Sequence, residues 1–588
     1  MRKTGSLSLF LCILISGCGS KQSSATTPPP ETASSMPESP PPAAEEHQHG
    51  MTPPEGQAAK TPAMTLDTLA KGAVLFDDLG TFHRAISSKS PEAQKYFDQG
   101  LRLIYAFNHD EATRSFARAA AIDPTCAMCF WGASITLGPN YNVPMLPDRS
   151  VMAWEALQKA RALAPSSTPV EQALIGALAK RYKGPDPLDP PAMQPFQEAY
   201  AAAMRDVAKK FPDDLDVQVL FAESMMDVNP WKLWTLDGKP APGTEEIVAT
   251  LEKVIEKDQN HPGANHYYIH AIEASTHPEK AVPSADRLGT MMPGAGHLVH
   301  MPAHIYQRVG RYADASEANR KAIKADLAYM QKAQPWGYYP MYLGHNYGFL
   351  AYSSSMEGRS AESLAASRDA AKAMPPGMID MMPGMDFFVA EPLLVMVRFG
   401  KWDELLAEPK PDAKYQVLTS LWLHGHGMAL ASKGKLDEAA ADQAELIKLS
   451  GQVAPDLLAG LNPAKDVILL AAKVLEARIA EKGGKPEALA LWAEAVAMED
   501  KLAYSEPADW FYPVRHFQGA ALLTAKKYKD AEAVYRADLM HNKDNGWSLW
   551  GLAQALRGQK KAKDAAKVEA QLKKAWASAD FQLASTAF

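Results

Sequence analysis

Residues 93–132 read AQKYFDQGLRLIYAFNHDEATRSFARAAAIDPTCAMCFWG. Counted from Ala93, Tyr96 stands fourth, Gly100 eighth, Ala112 twentieth, Phe116 twenty-fourth, Ala119 twenty-seventh and Pro124 thirty-second. Small residues at Gly100 and Ala112 let two antiparallel helices approach closely. Phe116 and Ala119 fill the seam between them, and Pro124 ends the second helix because proline has no amide hydrogen to donate. A helical hairpin of this kind has one apolar face that it cannot bury alone, so similar neighbours must follow.

They do follow, with drift. Ala153, Leu157, Ala160 and Pro165 close a second hairpin whose helices are parted by GPNYNVPM. Looser units occupy 168–212 and 214–258, and Gly310, Gly358, Gly400, Gly434 and Tyr528 stand at later inter-helix turns. The spacing resembles that of the tetratricopeptide repeat over roughly residues 91–577, and the quoted stretch resembles a group of bacterial lipoproteins and secreted proteins built from that repeat. The resemblance implies an all-α, right-handed α-solenoid of about twelve helical hairpins.

Composition agrees with a helical protein: 47% hydrophobic and 22% charged residues in a chain of 588. A formal charge of −7 gives no basic footprint, so nucleic acid is not expected as a partner. No G-x-x-x-x-G-K-[ST], G-x-G-x-x-G, G-x-S-x-G or H-E-x-x-H occurs, so nucleotide loops, the hydrolase elbow and zincin chemistry are unsupported.

Residues 1–17 have the charge and apolar run of a leader, with Ile15-Ser16-Gly17 before Cys18. This resembles a bacterial lipoprotein signal, which implies lipidation at Cys18 and anchoring in the cell envelope. Gly19 after the cysteine favours the outer membrane, on its periplasmic or surface side. Residues 18–65, rich in Pro, Ser, Thr and Ala, read as a disordered tether. Residues 66–90 form a lead-in and 578–588 a C-terminal tail. Cys126 and Cys129, in an oxidising compartment, read as a local disulfide at the start of a helix, with thiol redox or metal work as the alternative. Phe130 stands where haem attachment needs His.

Histidine is unevenly spread: seven of the 16 fall in residues 261–304. In the tetratricopeptide family the first helix of each hairpin lines a concave groove, with its second, fifth, ninth and twelfth places pointing inward on one stripe. Counting puts His266, His270 and Glu273 at fifth, ninth and twelfth places of one unit. His297, His300 and His304 take second, fifth and ninth places of the next. His345 and Tyr352 take second and ninth places of the third, and His424 and His516 fall at fifth places further on. Pro302 should kink its helix, which puts the alignment of His304 in question. His109 reads as a helix cap, His261 and His277 as structural, and His83 as a residue able to fold over the groove mouth.

Imidazoles at i, i+3 or i, i+4 can reach one ion, and neighbouring groove helices lie on the order of 10 Å apart. A transition metal (Zn, Fe or Cu) on His266, His270, His297, His300 and His304 is one expectation, with Glu273 as further ligand or general base. Three functions stay open. The first is a groove holding a peptide, protein or small-molecule ligand through a metal-bearing patch. The second is a metal-dependent oxidase or hydrolase, and the third a metal-free assembly scaffold. Met374, Met378, Met381, Met382 and Met385 suit Cu(I), but methionine also fills irregular gaps.

Overall fold

The computed structural model describes residues 64–374 and 377–588. The leader, Cys18 and the tether up to residue 63 lie outside the described residues. Among those described, helices pair in chain order into twelve hairpins. These run from Pro91–Tyr105 with His109–Ile122 to Gly546–Gly558 with Ala562–Ala575. Strand structure among them is limited to the pair Leu458–Ala459 and Asn462–Pro463. The fold is an all-α solenoid of tetratricopeptide-like hairpins.

The first hairpin is built as its sequence dictates. Ser90 caps the first helix by accepting from the Ala93 amide, and Pro91 opens it without losing a bond. The Phe116 ring is clasped between Gly100 and Gly132. A Cβ on either glycine would lie within 2.3–2.8 Å of ring carbons. Three successive helices therefore close on one aromatic side chain. The second helix is capped by Asn108, which accepts from the Glu111 amide, so the cap expected of His109 belongs to its neighbour. His109 is instead buried beside Asn140. Cys126 and Cys129 are joined in a disulfide at the next helix start.

The groove expected to lie open is closed by distant segments. The helix Pro262–Ile272 of the fifth hairpin packs on Pro91–Tyr105, the first helix of the first hairpin, where Gly263 faces the Tyr105 ring. The segment after the helix Tyr312–Ala333 folds back on the first hairpin. There Trp336 Nε1 donates to the Asp110 carbonyl (3.0 Å) and the Tyr339 amide to the Asp110 carboxylate (2.9 Å). Arg114 donates to the Ala333 and Gln334 carbonyls. From the other side, Trp547 Nε1 donates to the Ser355 carbonyl (2.8 Å) and Tyr504 reaches Arg308. Residues 578–588 pack inward as well: Thr586 donates to the His516 carbonyl and Phe588 lies against Gly400. The solenoid curls until its inner helices meet, and most of the clustered histidines sit at that meeting point.

Candidate metal centre

The inner helices of the fifth, sixth and seventh hairpins carry the site: Pro262–Ile272, Gly296–His300 continued by Pro302–Arg308, and Pro340–Met356. Pro302 does break its helix after His300. The break does not carry His304 away, because His300 Nε2 and His304 Nε2 stand 2.9 Å apart. His266, His270, His297, His300 and His304 are all buried, none more than 2% exposed, and His345 is half-buried.

These imidazoles form two triads. In His266, His270 and His297 one nitrogen from each ring lies within 4.8 Å of the others, and the same holds for His300, His304 and His345. The triads adjoin, with ring centroids 5.9 Å apart for His270–His304 and 6.0 Å for His297–His300. A third group within the same limit joins His304 to the carboxylates of Glu273 and Glu506.

Hydrogen bonds on the outer side fix the tautomer of three of the rings. His266 Nδ1 meets the Tyr105 carbonyl at 2.6 Å, His270 Nδ1 meets Glu273 Oε1 at 3.0 Å, and His300 Nδ1 meets Asn319 Oδ1 at 2.7 Å. Since these partners accept, each Nδ1 donates and each Nε2 presents a lone pair inward. His266 Nε2, His270 Nε2 and both nitrogens of His297 are buried without a hydrogen-bond partner. A ladder that only fixed helix register would pair them, because a buried polar atom left alone costs about 1–3 kcal/mol. Outer bonds to carbonyl or carboxylate with inner lone pairs converging is the arrangement of metal-bound histidine.

Charge follows the same plan. Burial holds His266, His297 and His300 well below the ordinary imidazole range and takes His345 to about 3, so these rings are neutral and able to ligate. Burial lowers His270 too, against the pull of Glu273. His304 is the exception. Burial opposes its charge, but Glu273 Oε2 at 2.9 Å and Glu506 Oε2 at 3.1 Å outweigh it and hold the ring up to about 10. An imidazolium there donates to His300 Nε2, and a metal ion held by that triad would have to displace this proton.

Glu273 thus lies behind the rings, holding His270 and His304 by their outer nitrogens. Glu273→Gln is expected to weaken metal binding about 10–100-fold, the usual effect of losing an outer-shell acceptor, while the ions per chain at saturation stay the same. A competitive chelator titration reads this, and unchanged affinity would remove Glu273 from the site.

The remaining predicted positions fall apart from this group. Tyr352 lies further along the His345 helix and donates to Asn542, with its ring against Phe511. It does not share the histidine cluster, because the C-terminal hairpins cover that part of the helix. His424 is held between the Ala471 carbonyl and the Tyr512 hydroxyl. His516 is fixed by Asp538 and Arg398. His261 caps its own helix, His277 pairs with Glu279 near the surface, and His83 pairs with Asp98. Glu506 escaped the sequence reading. It sits in the irregular loop before the eleventh hairpin, where no periodic signal marks it. Phe107, in the turn of the first hairpin, stacks on His270 and His297, and Tyr342, on the helix that bears His345, lies 4.5 Å from His297; both were missed because their contacts come from the closure and not from the repeat spacing.

His270, His297, His304 and His345 form part of the wall of a cavity of about 290 Å³, so both triads open into one space. Much of the rest is apolar or aromatic, including Trp231, Tyr338, Met341, Phe387 and Phe511.

No family model matches the chain, and no curated protein matches it. Among solved structures, the tetratricopeptide domain of P58(IPK) is similar at 15% identity and a TM-score of 0.22, covering 80% of this chain and 99% of that one. The human IFIT1 dimer with m7Gppp-AAAA is similar at 12% identity and a TM-score of 0.34, over 83% and 96%. Naa15/Naa10 bound to HypK-THB stands at 13% identity and a TM-score of 0.21, over 82% and 70%. The described residues themselves define the class, an all-α helical-repeat protein, and the site rests on its own residues.

Proposed function

We propose that this scaffold is a metalloprotein in which two adjacent histidine triads hold a pair of transition ions at the wall of a small-molecule cavity. The observation that carries this reading is the set of inward nitrogens of His266, His270 and His297, buried and without partners while the outer nitrogens of His266 and His270 are bonded. Imidazole-only donors suit Zn or Cu, and three ligands per ion leave a coordination position open toward the cavity. A cavity of about 290 Å³ fits a small molecule rather than a protein segment, which favours metal-dependent chemistry over partner docking. Supported by the reading of residues 1–18, the protein works in the bacterial envelope, anchored through lipid on Cys18.

Elemental analysis of untagged protein extracted from the membrane fraction is the test. About two equivalents of one transition metal per chain are expected, with an acylated Cys18 in the mass spectrum. Metal-free protein whose melting is indifferent to added Zn or Cu ions and to chelator would leave a scaffold without a metal role.

A further inference from the structure

The cavity has a second chemical feature on the wall contributed by the eighth hairpin. Glu391 opens the helix Glu391–Arg398 and lines the same space as the four imidazoles. A carboxylate in a first helical turn ordinarily serves the helix, by capping an amide or opposing the dipole. Glu391 caps nothing: the residue before the helix receives no side-chain bond, and Glu391 Oε1 is buried without a hydrogen-bond partner. Its other oxygen lies over Gly348, where a Cβ would come within 2.9 Å of it. Gly348 is one turn from His345 on the same helix, so the missing side chain makes room for the carboxylate close to the second triad.

The other acids of the cavity are engaged. Glu506 finds no hydrogen-bond partner among the described residues but is ion-paired with His304 at 3.1 Å and with Arg308 at 4.0 Å, and Asp509 accepts from the Leu461 amide and the Asn462 side chain. Neither lysine nor arginine occurs among the described residues lining the space. Glu391 is therefore an acceptor with no donor among the described residues, set in an apolar wall opposite groups that would bind metal.

We propose that Glu391 is the recognition group of this cavity, accepting a hydrogen bond from an ammonium or hydroxyl group on a small molecule with an apolar or aromatic body. This deepens the metal-centre reading and rests on it for the reaction, but not for the binding. The apolar walls take the body, the carboxylate takes the polar end, and the molecule then lies against the open side of the triads. Burial raises the Glu391 carboxyl to about 8, so on its own it is mostly protonated at neutral pH, and an ammonium bound beside it would favour the charged form.

The test uses the full-length protein with its resident metal and three probes of one shape: benzylamine, benzyl alcohol and toluene. Binding is followed by ligand-observed NMR in wild type, Glu391→Gln and Gly348→Ala, with metal content measured on each. Wild type is expected to hold benzylamine at least tenfold tighter than toluene, with benzyl alcohol between them. Glu391→Gln should lose that preference while keeping toluene affinity and metal content. Gly348→Ala, which displaces the carboxylate, should shift the preference the same way. Benzylamine bound equally well by Glu391→Gln and wild type would overturn the assignment. Wild type without transition metal, but with a preference that Glu391→Gln abolishes, would remove the metal reading and leave this one standing.

Discussion

Replacing His266 and His300 together by alanine, one imidazole from each triad, is expected to take bound transition metal from about two equivalents per chain to nearly none. Each single variant should stop near one equivalent, because the triads share no residue. An ion left with two imidazoles loses a third of its protein donors, although Glu273 still faces the remaining His270 and His304 rings. Stability should follow the metal. A site filled at 1,000 times its Kd contributes about 4 kcal/mol to the folded state, so the double variant should melt like chelator-treated wild type. One cost is independent of metal: His266→Ala leaves the Tyr105 carbonyl without its donor, worth about 1–3 kcal/mol, and this persists in chelator. His424→Ala is the control, since that ring is equally buried but belongs to the Ala471–Tyr512 network. Two ions retained in the double variant would sink the two-triad arrangement.

Asp110→Ala should cause the largest loss of stability outside the site, about 3–5 kcal/mol. Its carboxylate is fully buried, accepts from Arg149 Nη2 at 2.6 Å and also receives the Tyr339 amide. Truncation leaves the Arg149 guanidinium, 3% exposed, without an anion. The consequence is not only local. Asp110 fastens the segment that leads into the helix bearing Tyr342 and His345, and so holds that helix against the first hairpin. Hydrogen exchange should accelerate across 334–345, and metal at the His345 triad should become easier to remove. Asp110→Asn keeps the shape and an acceptor oxygen and should cost less. A variant within about 1 kcal/mol of wild type, with unchanged exchange over 334–345, would show that the closure does not depend on this acid.

What was legible in the chain follows from periodicity. Phe116 between Gly100 and Gly132 announces the hairpin because a repeat must satisfy its own seam and its neighbour's, and that requirement recurs along the chain. Histidines at i, i+3 and i, i+4 likewise declare one face of one helix, since 3.6 residues per turn leave little choice. Even the break at Pro302 could be expected from the ring that replaces its amide.

Closure was not legible, because it depends on where two turns of the curl meet, and the angle between successive hairpins is set by side-chain packing rather than by spacing. It turned a simple groove into a cavity walled by segments distant in the chain. It brought Glu506 to His304 from some two hundred positions away and laid Phe107 over three imidazoles. It also put the C-terminal hairpins over Tyr352. By itself the sequence determined the repeat and which helix face each imidazole occupies. The tertiary structure alone decided which of those faces share one low-dielectric space, and burial there holds most of the rings neutral with their lone pairs turned inward.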